Sequence, residues 1–456
     1  MLRSHPGSSR LARAGRRLAL LAAAASLAVP ATLGGCVGPE PPRPNLVLIS
    51  LDTLRPDHLG VYGYERDTSP HLDRLATGGV VFEKAYAHGP NTAPTHHSVL
   101  TSLYPSVHGI DRHGLVLDPD VPMLPEILRD AGYATGGFVQ LPGTSYRRGF
   151  DHYTGLSHAA SLRKAKRFGA GLESIGEWIA GLEEGVPFFL FVHTYAVHLP
   201  YAPRPENLER FDPGYDGVVS NRVKPEEIDR INRGELPVDD EDLEHLVALY
   251  DAEIAGLDAD LGTLFESFEA MGLLDETVFV LMADHGEELG EHGVWGQHSH
   301  TLYEELIRIP LIVLGPGVPA GRRIDRPARQ VDIAPTLLDF AGIEPPEHFR
   351  GTSLRPVWEG TEAGERIVMA ELPGLRAIID GDLKYFTNGR LYDLAADPGE
   401  QHDIAHERPE ALQRMRRLAE AWDDELVRER RRISRPGDVE LSEEERRRLR
   451  ALGYLN

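Results

Sequence analysis

Four short, largely apolar runs are the feature that most constrains how this 456-residue chain can fold. Such runs are typical of strands that are buried on both faces, as in a parallel sheet. They cover residues 45–51, 188–192, 278–283 and 311–314. Helical patterns lie between or after them, at residues 123–131, 243–271 and 332–341. This alternation of strand and helix predicts a doubly wound α/β domain.

Acidic and histidine side chains follow three of these runs. Asp52 ends the first run, His193 the second, and the pair Asp284 and His285 the third. Ligands of open α/β sheets gather at the carboxyl ends of the strands, and a buried charge without a partner is costly. Carboxylate plus imidazole is a usual ligand set for Zn²⁺ or Mn²⁺, whereas an all-oxygen set favours Ca²⁺ or Mg²⁺. Asp52, Asp284 and His285 are therefore predicted to bind a divalent metal.

A hydroxyl, a proline and two histidines lie close together at residues 91–98. Thr92 is placed at a loop-to-helix junction, because Pro94 suits a first helical turn and threonine is favoured just before one. The free N–H groups of such a turn point toward a bound anion. A nearby metal would lower the pKa of the hydroxyl. Thr92 is accordingly predicted to be a nucleophile that attacks an anionic ester and a ligand of the metal.

Two further groups of histidines are candidates for binding the substrate. The glycine- and histidine-rich stretch 290–300 follows the third run, and within it we favour His298 as a metal ligand or substrate-binding residue. His193 and His198 form the other group. Either could act as the general acid for a leaving group, or could be a satisfied structural histidine. The segment from about residue 201 to 242 is expected to wall the pocket.

The N-terminus has the pattern of a bacterial export signal. Five arginines precede an apolar stretch, residues 18–31, that is too short to span a membrane. The sequence then reads Leu-Gly-Gly-Cys and resembles a lipobox, with Cys36 as the only cysteine of the chain. We predict a lipoprotein signal peptide at 1–35, lipidation of Cys36 and a proline-rich tether at 36–44. The protein is then exported and anchored to a membrane of the cell envelope, although an incidental thiol or a twin-arginine signal remains open.

The net charge limits the partners that the protein can bind, and a change in sequence pattern predicts its domains. The formal net charge of −23 argues against nucleic acid as a partner, but not against a small anionic ester, because bound metal inverts the local field. Residues 45–345 are predicted to form the catalytic domain. After that the pattern changes to short strands, at 377–379 and 384–387, and charged helices, one of them at 408–432. Residues 346–456 are predicted to be a smaller α+β subdomain with a helical tail.

The chain resembles the sulfatase family of the alkaline phosphatase superfamily from residue 45 to its end. The resemblance rests on matching blocks at 52–60, 68–76, 92–101, 283–286, 302–310, 332–336 and 392–398. It implies an alkaline-phosphatase-like mixed sheet flanked by helices, a divalent metal and an anionic ester substrate.

Several positions depart from the pattern of that family. Thr92 stands where the family has a Cys or Ser that becomes formylglycine, and threonine cannot yield that aldehyde, so no formylglycine is expected. The other departures are His96 at the signature Arg, Thr53 at a second Asp, His285 at an Asn and His298 at a Lys. The residues at these positions are similar to those of phosphoesterases of the superfamily, which use an unmodified Thr or Ser and usually hold two metals. A second full ligand set is not evident, because Ala196 stands where a carboxylate often lies.

The sequence thus predicts a metal-dependent ester hydrolase of sulfatase or phosphoesterase type. Thr92 attacks phosphorus or sulfur, and His96, His198 and His298 bind the ester or its leaving group. Side-chain chemistry favours a phosphoric ester, and the metal can be Zn²⁺, Mn²⁺, Ca²⁺ or Mg²⁺. Two alternatives remain: a transferase that moves a phospho-alcohol between envelope lipid and glycan, and a non-catalytic sulfatase-like binding protein.

Overall fold

The computed structural model describes residues 43–140, 147–155, 168–433, 436–438 and 443–451. The predicted signal peptide and the lipidation of Cys36 lie outside these residues and stay predictions. Within the described ranges, no helix is both long enough and apolar enough to cross a membrane.

An eight-stranded mixed sheet forms the centre of the fold. From one edge to the other its strands are β11 (Arg322–Ile324), β2 (Gly79–Phe82), β10 (Leu311–Leu314), β8 (Thr277–Met282), β1 (Asn45–Leu51), β7 (Phe188–Thr194), β5 (Ala134–Val139) and β6 (His152–Gly155). β10 is antiparallel to both of its neighbours, and the other paired strands of this sheet are parallel. The predicted doubly wound α/β fold is confirmed.

The register of the central strands aligns the polar residues that follow them. β1 is buried along its whole length, as an unbroken apolar run predicts, and it pairs in parallel with β7 on one side and β8 on the other. Ser50 lies opposite His193 in β7 and Met282 in β8. Asp52 and Asp284 therefore emerge next to each other at the carboxyl edge. β10 points the other way, so the residues that follow it do not reach this edge.

Three smaller sheets complete the strands of the described residues. A three-stranded sheet contains β12 (Ala328–Arg329), β3 (Ala85–Tyr86) and β9 (Arg308–Ile309), and a two-stranded one contains β17 (Gly437–Asp438) and β4 (Leu115–Val116). A four-stranded antiparallel sheet contains β13 (Val368–Leu372), β14 (Leu375–Asp380), β15 (Leu383–Phe386) and β16 (Leu391–Asp393). This last sheet confirms the expected C-terminal strands, whereas the domain boundary at residue 345 stays a prediction.

Helices flank the central sheet. They are α1 (Pro70–Ala76), α2 (Thr92–Thr101), α3 (Pro105–His108), α4 (Leu124–Asp130), α5 (Leu172–Ala180), α6 (Pro205–Phe211), α7 (Pro225–Asn232), α8 (Asp240–Ala270), α9 (Glu304–Ile307), α10 (Ile333–Phe340), α11 (Arg355–Glu359), α12 (Pro409–Arg430) and α13 (Glu443–Ala451). Short 3₁₀ turns occupy Pro56–His58, Gly60–Tyr62, Phe168–Gly171, Leu274–Glu276 and Gln330–Asp332.

The long helix α8 shows why predicted helix boundaries shift. A reciprocal capping box starts it: Asp239 Oδ1 accepts the N–H of Asp242 at 3.0 Å, and Asp242 Oδ2 accepts the N–H of Asp239 at 3.0 Å. The caps satisfy two backbone donors that no helical carbonyl can reach. The helix therefore begins before the apolar periodicity that predicted it at residue 243.

Candidate active site

Thr92 is the first residue of α2, as its predicted position at a loop-to-helix junction requires. Asn91 precedes it in extended conformation, and every residue of the helix is buried. The Thr92 hydroxyl lies 3.4 Å from Asp52 Oδ2 and 3.3 Å from His285 Nε2. The structure thus brings the predicted nucleophile to the residues that follow β1 and β8.

The two aspartates each keep one buried oxygen without a partner. Asp284 Oδ1 accepts the N–H of His285 at 2.9 Å and that of Thr53 at 3.3 Å. Within the described part of the chain, Asp284 Oδ2 and Asp52 Oδ1 have no hydrogen-bond partner. A buried carboxylate oxygen without a donor is costly, so both atoms suit a role as ligands of a cation.

His285 supplies a third ligand atom. Its Nδ1–H donates to the carbonyl of Gly286 at 2.8 Å, which fixes the tautomer and leaves the Nε2 lone pair directed into the site. Ligand atoms of Asp52, Asp284 and His285 lie within 4.8 Å of one another. Two carboxylates and one imidazole fit Zn²⁺ or Mn²⁺ better than Ca²⁺ or Mg²⁺, whose sites are built from oxygen. The residues present therefore fit the expected divalent metal.

Burial and neighbouring charges shift the pKa values of the carboxylates and histidines in this group. Burial, together with the charge of Asp284, raises the pKa of Asp52 well above its ordinary value. Burial also opposes ionisation of Asp284, but the neighbouring His285, His96 and His193 lower its pKa overall. Burial and the neighbouring His193 lower the pKa of His96 to about 3, and burial lowers that of His193 to about 4, so both rings are neutral. A cation would relieve the repulsion between the two carboxylates.

A strained turn positions Asp284 from the other side. Thr53 has a left-handed backbone with φ of 57°, which is unfavourable for a β-branched residue. Tyr250 of α8 holds this turn: its hydroxyl donates to the Thr53 carbonyl at 2.7 Å and accepts the N–H of Arg55 at 3.0 Å. In this conformation the Thr53 N–H reaches Asp284. Backbone strain at this position is therefore part of how the site is built.

His193 approaches Asp52 more closely than any histidine we favoured from the sequence. Its Nε2 lies 2.9 Å from Asp52 Oδ2, with both side chains fully buried. We considered it only as an alternative general acid. The signal that could have found this contact was its place at the end of β7, level with Ser50 in the strand next to Asp52.

His96 lies beneath Thr92. Its Nδ1 donates to the Thr92 carbonyl at 2.8 Å and its Nε2 is 2.8 Å from the Ser50 hydroxyl. His96, His193 and Asp284 are also close enough together for a metal. A carbonyl only accepts, however, so Nδ1 carries the proton, and Nε2 is left as acceptor for the Ser50 O–H. Neither nitrogen has a lone pair to give, which makes this group a poor second metal site.

His198 and His298 lie next to each other, and His298 lies next to His285. The ring centroids of His285 and His298 are 4.6 Å apart, and those of His198 and His298 are 5.1 Å apart. The Nδ1–H of His198 donates to the Leu199 carbonyl at 2.5 Å, which assigns the ring proton of the neutral form to Nδ1. Residues far apart in the sequence thus form one wall, as their predicted shared role requires.

Glu287 belongs to the same wall and was missed. It is fully buried, its Oε2 accepts the Tyr201 hydroxyl at 2.7 Å, and its Oε1 lies 3.6 Å from His298 Nδ1. The sequence signal was its place two residues after His285. A carboxylate at this position can orient the His298 ring.

The fold and this site define a class: ester hydrolases of the sulfatase and phosphoesterase type. The family model described as Sulfatase matches residues 44–343, about two-thirds of the chain, and the chain belongs to this family of the alkaline phosphatase superfamily. The predicted family is thereby confirmed. Its members use a divalent metal and act on anionic esters.

Individual relatives agree with this assignment. An N-acetylglucosamine-6-O-sulfatase of Bacteroides thetaiotaomicron is 25% identical and aligns over 82% of this chain and 85% of its own. A choline-sulfatase of Rhizobium meliloti is 28% identical over 80% and 82%. Among solved structures, the phosphonate monoester hydrolase of Agrobacterium radiobacter has a TM-score of 0.67 at 22% identity, covering 86% of this chain and 96% of its own. A structure in complex with its substrate D-glucosamine-2-N,6-O-disulfate has a TM-score of 0.71 at 22% identity, covering 84% and 98%.

Proposed function

We propose that the protein hydrolyses a phosphoric ester with the unmodified Thr92 as nucleophile, in the place where other sulfatases carry formylglycine. The observation that carries this proposal is the position of the Thr92 hydroxyl at the start of α2, within 3.4 Å of both Asp52 and His285. A divalent metal held by Asp52, Asp284 and His285 would lower the pKa of that hydroxyl and offset charge on the ester.

The chain supplies the remaining steps. Thr92 gives up its hydroxyl proton to water, and its oxygen bonds to phosphorus as the bond from phosphorus to the leaving oxygen breaks. A doubly protonated His198 gives that leaving oxygen the proton on Nε2. Water then attacks phosphorus and passes a proton back to His198 Nε2, and the bond to Thr92 breaks, so that the acid is released and the Thr92 oxygen takes up a proton from water. His298 binds the ester oxygens from the facing wall. Contact of His96 with the ester stays a prediction, because its contacts favour support of the Thr92 backbone.

The choice of phosphorus over sulfur rests on the side chain at position 92. Formylglycine forms a hydrate, whose second hydroxyl can expel sulfate by breaking a carbon–oxygen bond. Threonine has no second hydroxyl, so its ester must be cleaved by water at the central atom, which is the route that phosphothreonine can follow. The relative named phosphonate monoester hydrolase supports this choice, while the relatives named sulfatases favour sulfate.

We also propose that the protein is exported and anchored through a lipid on Cys36. This rests on the lipobox-like sequence alone. Metabolic labelling with a fatty-acid analogue checks it: the full chain takes up label and sediments with membranes, and Cys36→Ser does neither. A soluble, unlabelled wild-type chain would contradict the proposal.

The function is tested by pairing metal analysis with a panel of nitrophenyl substrates: sulfate, phosphate monoester, phosphodiester and phosphonate. We expect bound metal and turnover of at least one phosphorus ester. Thr92→Ala should lower kcat by about 10⁴-fold, whereas Thr92→Ser should keep activity within about tenfold. Activity on sulfate alone would refute the choice of phosphorus. A metal-free protein without activity would favour a binding role, and release of alcohol without free acid would favour a transferase.

A further inference from the structure

The loop that delivers His298 is a hairpin that starts close to His285. Glu288 and Gln297 face each other across it: the Glu288 N–H donates to the Gln297 carbonyl at 3.0 Å, and the Gly296 N–H donates to the Glu288 carbonyl at 2.7 Å. Leu289 and Trp295 form a β-bridge between the two arms. His298 is the residue directly after this ladder. Its position therefore depends on how firmly the second arm, residues 294–297, is held.

Asn232 of α7 binds the backbone of that second arm. The Asn232 amide donates to the Trp295 carbonyl at 3.0 Å and accepts the Trp295 N–H at 3.0 Å. It thereby pairs both backbone groups of one residue, as a neighbouring strand would. Without Asn232, the N–H and the carbonyl of Trp295 would depend on water for their hydrogen bonds.

Two more contacts come from the same face of α7. Asp229 Oδ1 accepts Gln297 Nε2 at 3.1 Å. Ile228 packs over Gly296, where a Cβ would lie 3.2 Å from the isoleucine side chain. Because residues 228, 229 and 232 are neighbours on a helix surface, α7 presents one continuous clamp to residues 295–297.

We propose that Asn232 is a positioning residue for His298, and that the segment 201–242 sets substrate specificity partly by fixing where His298 lies. α7 lies within this segment, which carries no predicted ligand of its own. A change in the segment would move the binding histidine together with the pocket wall. The inference rests on the proposed role of His298 in binding the ester, but the clamp itself can be tested separately.

We expect Asn232→Ala to lower activity because His298 is displaced, and not because a reacting group is removed. A substitution far from the reacting atoms can cost about 100-fold in rate if it misplaces the positioned groups by about 1 Å. The clamp has other contacts, so we expect Asn232→Ala to lower kcat/KM by about tenfold, with most of the change in KM. The matched control is Asn207→Ala: Asn207 lies in the same segment and donates to the Ala252 carbonyl at 3.2 Å, but makes no hydrogen bond to the loop.

The test combines hydrogen exchange with a double-mutant cycle on the most reactive nitrophenyl ester of the panel. Exchange at the Trp295 N–H should accelerate in Asn232→Ala. It should stay slow in Asn232→Asp, which keeps the accepting oxygen. If Asn232 acts through His298, then Asn232→Ala should cost little more once His298→Ala is present.

The clamp would be overturned if the Trp295 N–H exchanged as slowly in Asn232→Ala as in the wild type. It would also be overturned if the fold-losses in kcat/KM of Asn232→Ala and His298→Ala multiplied in the double variant. A loss in Asn207→Ala equal to that in Asn232→Ala would overturn it too. If His298→Ala alone keeps full activity, the proposed role of His298 fails, and the exchange data then decide the clamp independently.

Discussion

Two buried groups of charged side chains differ in where their cation comes from. The catalytic cluster, which we propose binds the metal, consists of Asp52, Asp284 and His285, all fully buried. The lysine cluster consists of Lys384 in β15, Glu304 at the start of α9, and Glu400: the Lys384 Nζ lies 3.0 Å from Glu304 Oε1 and 3.0 Å from Glu400 Oε1. The lysine is fully buried as well. Each cluster has two carboxylates, but only the lysine cluster contains a cationic side chain.

This difference separates a structural group from a binding site. In the lysine cluster, Lys384 compensates the carboxylates, and its ion pair with Glu304 joins β15 to α9. In the catalytic cluster, one oxygen of Asp52 and one of Asp284 have no hydrogen-bond donor in the described part of the chain. Burial of an uncompensated charge costs several kcal/mol, so a group of this kind persists where a ligand supplies the charge. Glu400 Oε1 in the lysine cluster also has no hydrogen-bond donor, but it lies 3.0 Å from the Lys384 ammonium, whereas the catalytic cluster has no cationic side chain of this kind.

The sharpest way to break this comparison is to remove one charge from the catalytic cluster. Asp284→Asn keeps the oxygen that accepts the N–H groups of Thr53 and His285, but loses a ligand charge. We expect metal affinity and kcat/KM to fall at least about 100-fold, since even indirect partners of a metal contribute tenfold to 100-fold. The metal-free variant should melt at a higher temperature than the metal-free wild type, because repulsion between buried carboxylates is gone.

Metal content by mass spectrometry and thermal melts with and without chelator check this prediction. Asp258→Asn is the matched control: Asp258 accepts two backbone N–H groups, those of His71 and Leu72, away from the catalytic cluster. It should keep its metal. If Asp284→Asn retained wild-type metal content, the catalytic cluster would not be the metal site.

Removing the cation of the lysine cluster should affect stability and leave the metal in place. Lys384→Met strands the buried carboxylate of Glu400 and the partly buried one of Glu304, and breaking a buried ion pair costs about 3–5 kcal/mol. Urea unfolding measures the loss, and metal content per chain should not change. Lys84→Met is the control, because Lys84 pairs with Asp325 and Asp382 at the surface, where such pairs contribute about 0–1 kcal/mol. Equal losses in the two variants would contradict a compensating role for Lys384.

The sequence predicted the catalytic cluster and not the lysine cluster, for a physical reason. Asp52 and the pair Asp284–His285 follow apolar runs, and parallel pairing alone brings the ends of such strands to one edge. Nothing local marks Lys384, which lies on a short strand and meets carboxylates 80 and 16 residues away. Contacts of that kind depend on how the small sheet docks, and sequence periodicity does not carry that information.

The same distinction applies within the candidate site. Thr92 was predicted because helix starts have local signals, and the structure places it at the start of α2. The contact of Asn232 with Trp295 joins helix α7 to the hairpin that carries His298. No sequence signal relates these two segments, so the contact was not predicted. His193 lies between these cases: its strand was predicted, but the register that sets it beside Asp52 was not.

A smaller effect sharpens the role of His193. Its Nε2–H donates to Asp52 Oδ2 and so fixes the carboxylate whose other oxygen we propose as a metal ligand. His193→Leu removes that donor and should weaken metal binding by about tenfold to 100-fold, the range for partners that orient a ligand. His193→Gln can still donate and should recover most of the affinity. Chelator competition measures both, and equal affinities in the leucine variant and the wild type would exclude an orienting role.

The smallest predicted effect concerns pH and the lysine cluster. Burial is the main reason that the pKa of Glu400 rises to about 7, with Glu304 adding to it and Lys384 opposing it. Between about pH 4.5 and 7 the folded protein therefore holds a proton that the unfolded chain has lost. Stability from this group is fully present below that window and falls as pH rises through it, by at most about 1.4 kcal/mol per pH unit. Glu400→Gln mimics the protonated acid, so the difference in unfolding free energy between this variant and the wild type should grow from pH 5 to 8. A difference that is independent of pH would show that Glu400 is ionised throughout, and that Lys384 compensates both carboxylates completely.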